Sequence, residues 1–127
     1  MTQIALENNN FLNVEVTGSL DLPKIIFSNS LGSDLRMWNQ QVESMKDKYC
    51  IISYDKRGHG NSSPAQGPYA FDMLENDVIK IMDDLEIEKA NFVGLSMGGM
   101  TSLGLALKHQ KRFDKFVCCA ARADMPP

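Results

Sequence analysis

Ala90-Asn91-Phe92-Val93-Gly94-Leu95-Ser96-Met97-Gly98-Gly99 is the stretch whose reading decides the fold. Its first part, Ala90 to Gly94, is a short apolar run of the kind that fills a strand buried in a sheet. From about Met97 to His109 a helix is expected, with no charge before Lys108; a helix apolar on every side should be central. At the junction stands Gly94-Leu95-Ser96-Met97-Gly98, the pattern G-x-S-x-G of a nucleophile elbow.

The physics of such a corner explains the residue types. A serine forced into a strained conformation between strand and helix projects its hydroxyl clear of the sheet. Side chains two residues before or after Ser96 would collide where strand and helix cross, so Gly94 and Gly98 are wanted there. The helix beginning at Met97 turns free N–H groups and its positive dipole end toward the space above Ser96, where a developing oxyanion would be stabilised. An ordinary tight turn that happens to contain serine is the plain alternative. A dinucleotide loop is the other rival, because a glycine-rich strand-to-helix turn also cradles pyrophosphate. Its spacing G-x-G-x-x-G, counted from Gly94, would need glycine where the chain has Ser96, and only Gly99 fits.

Outward from the elbow, apolar runs alternate with helical periodicities, which predicts an α/β sandwich with a mostly parallel sheet. Gln3 to Glu7 and Leu12 to Thr17 flank Asn8-Asn9-Asn10 and read as an antiparallel hairpin. Lys24 to Asn29 reads as a strand buried on both faces. Leu35, Trp38, Val42 and Met45 lie on one helical stripe, with Ser33 or Asp34 as N-cap. Tyr49 to Tyr54 is the next strand, followed by a turn-rich segment from Asp55 to Pro68. Phe71, Leu74, Val78, Ile81 and Leu85 then mark a second amphipathic helix, and Phe113 to Ala120 a last strand.

With 13 basic and 16 acidic side chains the formal net charge is 13 − 16 = −3 over 127 residues, the size of one ordinary domain or part of one. No block of Lys and Arg offers a footprint for nucleic acid or anionic lipid, so neither is expected as a partner. The first basic residue is Lys24, too late for the charged start of a secretory signal, which points to the cytoplasm. The uncharged stretch Phe92 to Leu107 is interrupted by Gly94, Gly98, Gly99 and Gly104 and falls short of the roughly 20 apolar residues of a bilayer crossing. Cys50, Cys118 and Cys119 lie in apolar segments without metal-ligand spacing and are expected to be reduced core residues.

Asp55-Lys56-Arg57-Gly58-His59-Gly60-Asn61-Ser62 falls at the carboxyl end of a strand, where α/β sheets place functional loops. His59 could serve as a base or a ligand, but between two glycines it reads better as a turn residue bonding locally. His109, in Lys108-His109-Gln110-Lys111-Arg112, suits the negative end of the third helix. Asp83, Asp84, Glu86 and Glu88 read as a solvated helix end, and Asp124 alone follows a strand end where an acid would be useful.

Taken together, the strand, the loop Ser28-Asn29-Ser30-Leu31-Gly32, the helix, the turn Arg57 to Ser62 of the form R-G-x-G-x-S, and the elbow resemble the amino-terminal half of the α/β-hydrolase superfamily. Within it the chain is similar to the 3-oxoadipate enol-lactonase family, through that loop, the Met37-Trp38 pair, Asp55 to Tyr69 with its Gly67-Pro68-Tyr69 ending, and Ala120 to Asp124. The resemblance implies Ser96 as nucleophile and the backbone N–H groups of Met97 and Leu31 as oxyanion hole. It implies hydrolysis of the enol-lactone of 3-oxoadipate in aromatic-compound breakdown, through a serine acyl-enzyme, with no metal or organic cofactor. Another ester or thioester hydrolase of the same fold, or a truncated binding member, are the alternatives. Relatives usually carry Thr or Ser where this chain has Ala70.

In this fold the triad acid and histidine follow the nucleophile in chain order. Residues 1–127 would then be the amino-terminal part of one domain, with lid and later strands beyond Pro127. Alone they would lack the base that activates Ser96, a loss on the order of a millionfold. The outer edge of the last strand would also be left open to self-association.

Overall fold

The computed structural model describes residues 2–30, 32–63 and 70–119. Strands β1 (Thr2–Ala5) and β2 (Phe11–Thr17) form the expected antiparallel hairpin, with Thr2 opposite Val14 and Ala5 opposite Phe11. Glu7 is drawn out of the strand into a 3₁₀ turn over Glu7–Asn9. Asn9 closes that turn at φ 63°, a region asparagine enters more readily than most residues.

The strands β3 (Lys24–Ser28), β4 (Cys50–Tyr54), β5 (Ala90–Leu95) and β6 (Phe113–Cys119) complete one sheet of order β1-β2-β4-β3-β5-β6. β2 meets β4 antiparallel, and the pairs from β4 through β3 and β5 to β6 are parallel. Parallel neighbours need crossovers. These are supplied by α1 (Asn39–Met45), α2 (Phe71–Asp84) and α3 (Met97–Lys108). Successive strand residues point to opposite faces. Ile25, Phe27 and Ile51 therefore meet Trp38 on one side, whereas Ile26, Ile52 and Phe92 meet Val78, Ile81, Met82 and Leu105 on the other. A sheet clad on both faces explains why every residue of β4 is buried.

The helix expected from Leu35 to Met45 is broken. Leu35–Trp38 is a 3₁₀ turn and the α-helix starts only at Asn39. In 3₁₀ geometry positions i and i+3 eclipse, which buries Leu35 and Trp38 on the same side. Of the candidate caps, Asp34 acts: its carboxylate accepts the Arg36 N–H at 2.9 Å. α2 starts at Ala70 with no side-chain cap.

Two expectations need correction. Cys50 is buried, but Cys118 and Cys119 are exposed: β6 is the outermost strand, and although Phe113 and Phe116 on it pack into the core, no described strand pairs with its outer edge. The charge-free helix α3 is not enclosed on all sides. It buries Gly98, Gly99, Thr101, Ser102 and Leu105 against the sheet and α2 while Leu107 is 84% exposed.

Candidate active site

Ser96 stands between the last residue of β5 and the first of α3, at φ 55° and ψ −110°. A non-glycine residue held there stores about 1–3 kcal/mol and stays only where its surroundings determine the backbone. They do so at both ends of the residue. Its N–H donates to the Cys119 carbonyl at 2.8 Å, tying the corner to β6, and its own carbonyl accepts the Met100 N–H at 2.9 Å, the first bond of α3.

The flanking glycines are required by contact. A Cβ on Gly94 would come within 3.0 Å of the Gly98 carbonyl group and the Gly99 nitrogen; one on Gly98 would strike the Ser28 carbonyl at the end of β3. Strand, helix and the neighbouring strand end are thus pressed backbone to backbone, and Ser96 is thrust up at the carboxyl edge of the sheet. The residue is half-buried, and no described residue bonds to its hydroxyl. Intrahelical bonding begins at the Met100 N–H, so the Met97 amide has no acceptor within the helix and lies at its positive end. Leu31, the other expected oxyanion donor, lies outside the described residues, as do Arg122, Asp124 and the segment 64–69.

The turn after β4, expected as a functional loop at the carboxyl end of a strand, is a knot of buried polar groups. Asp55 accepts Leu35 N–H at 2.7 Å with one oxygen, and Asn61 N–H at 2.9 Å and the Asn13 amide at 3.0 Å with the other. Lys56 is 1% exposed and donates to the carbonyls of Asn29 and Ser30. Arg57 clamps Asp77 of α2 with two bonds of 2.7 and 2.6 Å and reaches Glu7 at 3.2 Å. Ser62 and Ser63 accept from the backbone of Asn13 and Phe11, each at 2.8 Å. His59 turns Nδ1 to the Arg57 carbonyl at 3.2 Å, the local role expected of it.

His109 caps the carboxyl end of α3, where its N–H donates to the Leu105 carbonyl at 2.8 Å. A helix of 12 residues is about 18 Å long, so His109 is remote from Ser96. Arg57 is committed to Asp77 and Glu7, and Arg36 forms a bidentate pair with Asp34. Among the described residues no cluster of His, Cys, Asp or Glu could hold a metal ion, and no helix is long and apolar enough to cross a membrane. Two surface clefts, of about 870 and 330 Å³, are lined by residues other than Ser96.

Comparison with known proteins bears on the family and the fold. A family model for the alpha/beta hydrolase fold matches residues 23–127. A 3-oxoadipate enol-lactonase of Acinetobacter baylyi is 49% identical over 106 residues, which is 84% of this chain and 40% of that protein. A second enol-lactonase of the same organism is 45% identical over 102 residues, 80% of this chain and 38% of the relative. The chain therefore spans about two fifths of the length of these relatives. Among solved structures, a hydrolase from Pseudomonas aeruginosa superposes with a TM-score of 0.95 at 34% identity, over 99% of this chain and 48% of that one. The enol-lactonase of Burkholderia xenovorans superposes at 0.89 with 40% identity, over 94% and 46%.

Proposed function

The chain belongs to the α/β-hydrolase family, and from that premise we propose that it carries the nucleophile of an enol-lactone hydrolase, with Ser96 as the attacking group. The observation that carries the reading is the left-handed, glycine-walled corner at Ser96, with the Met97 amide at the positive end of α3.

Attack of Ser96 Oγ on the lactone carbonyl forms the new acyl bond and pushes charge onto the carbonyl oxygen, where the Met97 N–H, with that of Leu31, stabilises it. The Ser96 proton passes to a base that, in this fold, follows the nucleophile in chain order. Collapse breaks the ring C–O bond and releases an enolate, a better leaving group than an alkoxide, still tethered through the acyl chain; the protonated base returns its proton to it, which gives the ketone and frees the base again. Water, deprotonated by the same base, then releases Ser96 and leaves the open keto diacid. No step calls on a metal or organic cofactor. No described residue bonds to the Ser96 hydroxyl, so residues 1–127 by themselves should not turn over.

The preference for an enol-lactone rests on the two relatives of that name. A second reading is kept by RutD of Caulobacter segnis, whose name is that of a carbamate hydrolase, 37% identical over 95 residues. The elbow itself fixes acyl transfer and leaves the acyl group open. The test is a panel of enol-lactone, carbamate and simple ester, run on the whole polypeptide that carries these residues. The enol-lactone should give the highest kcat/KM, and Ser96→Ala should lower its turnover by at least a thousandfold. Activity within tenfold of the parent in that variant would overturn the assignment of the nucleophile.

A further inference from the structure

Lys56 is the one lysine taken out of water, and nothing in the reaction described above uses it. Its side chain is 1% exposed, and burial pulls its pKa down to about 8 while the neighbouring Asp55 carboxylate pulls the other way. At neutral pH it remains mostly an ammonium, a group rarely buried without a partner. The partners are specific: the carbonyls of Asn29 and Ser30, consecutive residues in the loop that leaves β3.

That loop starts against the elbow. Ser28, the residue before it, lies opposite Gly94 in the sheet and has its carbonyl against Gly98. A peptide unit is planar, with C=O and N–H pointing opposite ways. A bond that holds the carbonyls of Asn29 and Ser30 therefore fixes the peptide plane between these two residues and the path on which the loop leaves β3. Five residues on, the Asp55 carboxylate takes the Leu35 N–H at 2.7 Å, so adjacent residues of one turn grip both ends of the loop. Within the loop Asn29 and Ser33 add only neutral bonds, with the Asn29 amide on the Ser33 carbonyl at 2.9 Å and the Ser33 hydroxyl on the Ser30 carbonyl at 2.8 Å. Charge-assisted bonds are roughly twice as strong as such neutral ones.

We infer that Lys56 is a positioning residue for the reaction at Ser96: its buried ammonium, bonded to the carbonyls of Asn29 and Ser30, holds in place the loop that leaves β3 beside the elbow. The inference rests on the hydrolase reading above.

The experiment compares parent, Ser96→Ala, Lys56→Met and Lys56→Gln in the whole polypeptide, with 4-nitrophenyl acetate and the enol-lactone as substrates and each sample corrected for its folded fraction. Methionine keeps most of the stem and removes the donors; glutamine keeps a donor on a shorter stem and carries the test should Lys56→Met fail to fold. The expected result for Lys56→Met is a fall in kcat of about a hundredfold, the usual cost of displacing a reacting geometry by about 1 Å. KM should stay within threefold, and an alkyl boronate that mimics the tetrahedral oxyanion should lose affinity in parallel. Lys56→Gln should lose at least tenfold in kcat, again at constant KM. A side chain that only fills space would instead lower the melting temperature and leave kcat per folded molecule and boronate binding unchanged, and that outcome overturns the inference. Parent activity that does not depend on Ser96 would overturn the hydrolase reading and this inference with it; Ser96-dependent activity indifferent to Lys56 overturns this inference alone.

Discussion

Ser96 keeps φ 55° because every direction in which it could relax is occupied. Its N–H is engaged by Cys119, its carbonyl starts α3, and backbone presses on backbone at Gly94 and Gly98. The strain at the serine is thus held by close packing two residues away, which makes the glycines testable apart from the chemistry. Gly98→Ala should destabilise the protein by about 3 kcal/mol, the upper end for overpacking, since the new methyl meets the Ser28 carbonyl and not a side chain that can move. Urea unfolding measures it, and a change below about 0.5 kcal/mol, the range of an ordinary surface substitution, would contradict the packing described. At this scale the sequence was legible wherever pattern and period met. Gly94-Leu95-Ser96-Met97-Gly98 at a strand-to-helix junction marked both the serine of the corner and its glycine walls. The grip of Asp55 and Lys56 was not legible, because their partners lie 20 to 27 positions away and a charged residue next to a glycine turn reads as solvated.

Among elements, α2 shows what the chain spends on its site and where it leaves stability unused. The buried pair of Arg57 and Asp77 joins the turn after β4 to α2, so the loop beside the elbow is anchored to a helix of the core. The start of the same helix, at Ala70, is extended at φ −109° and ψ 137°, the conformation of an N-cap, yet supplies no side-chain acceptor. Ala70→Ser should add about 1 kcal/mol and raise the melting temperature by several degrees without altering hydrolysis; an unchanged or lower melting temperature would show that the helix does not start there. The strands and α2 were readable from apolar period, their ends to within a few residues. The break at Trp38 was not. Leu35, Trp38, Val42 and Met45 suit an α-helix, and the 3₁₀ turn follows from the distant Asp55 carboxylate taking the Leu35 N–H, together with the room for two side chains on one side of the sheet.

Among the described residues the sheet ends in two outer strands of different character, β1 and β6. β1 and β2 form an antiparallel rim, while β6 stands outermost with Val117 half exposed and Cys118 and Cys119 in the open. A parallel strand with an unpaired edge and one exposed apolar face is a template for pairing. We propose that residues 1–127, taken alone, self-associate through β6. Sedimentation at rising concentration should show dimers or larger species, reduced by Val117→Lys, whereas a sharp monomer at every concentration would contradict this. The class of fold was legible from alternation of apolar runs and helical stripes, since only layers of helix on a mostly parallel sheet bury both. The strand order was not, because β3 and β4 exchange places relative to the chain and no local pattern records which strands become neighbours. Exposure at Cys118 and Cys119 is a property of position in the sheet, and an apolar pair reads alike in a central strand and at an edge.

The central claim is that the hydroxyl at the elbow is the reacting atom. Treating the whole polypeptide with a fluorophosphonate ester and mapping the adduct by mass spectrometry tests it directly. One modification should appear, on the peptide containing Ser96, with loss of hydrolysis in the same proportion and no labelling in Ser96→Ala; labelling at another residue, or hydrolysis that persists with Ser96 fully modified, would contradict the account.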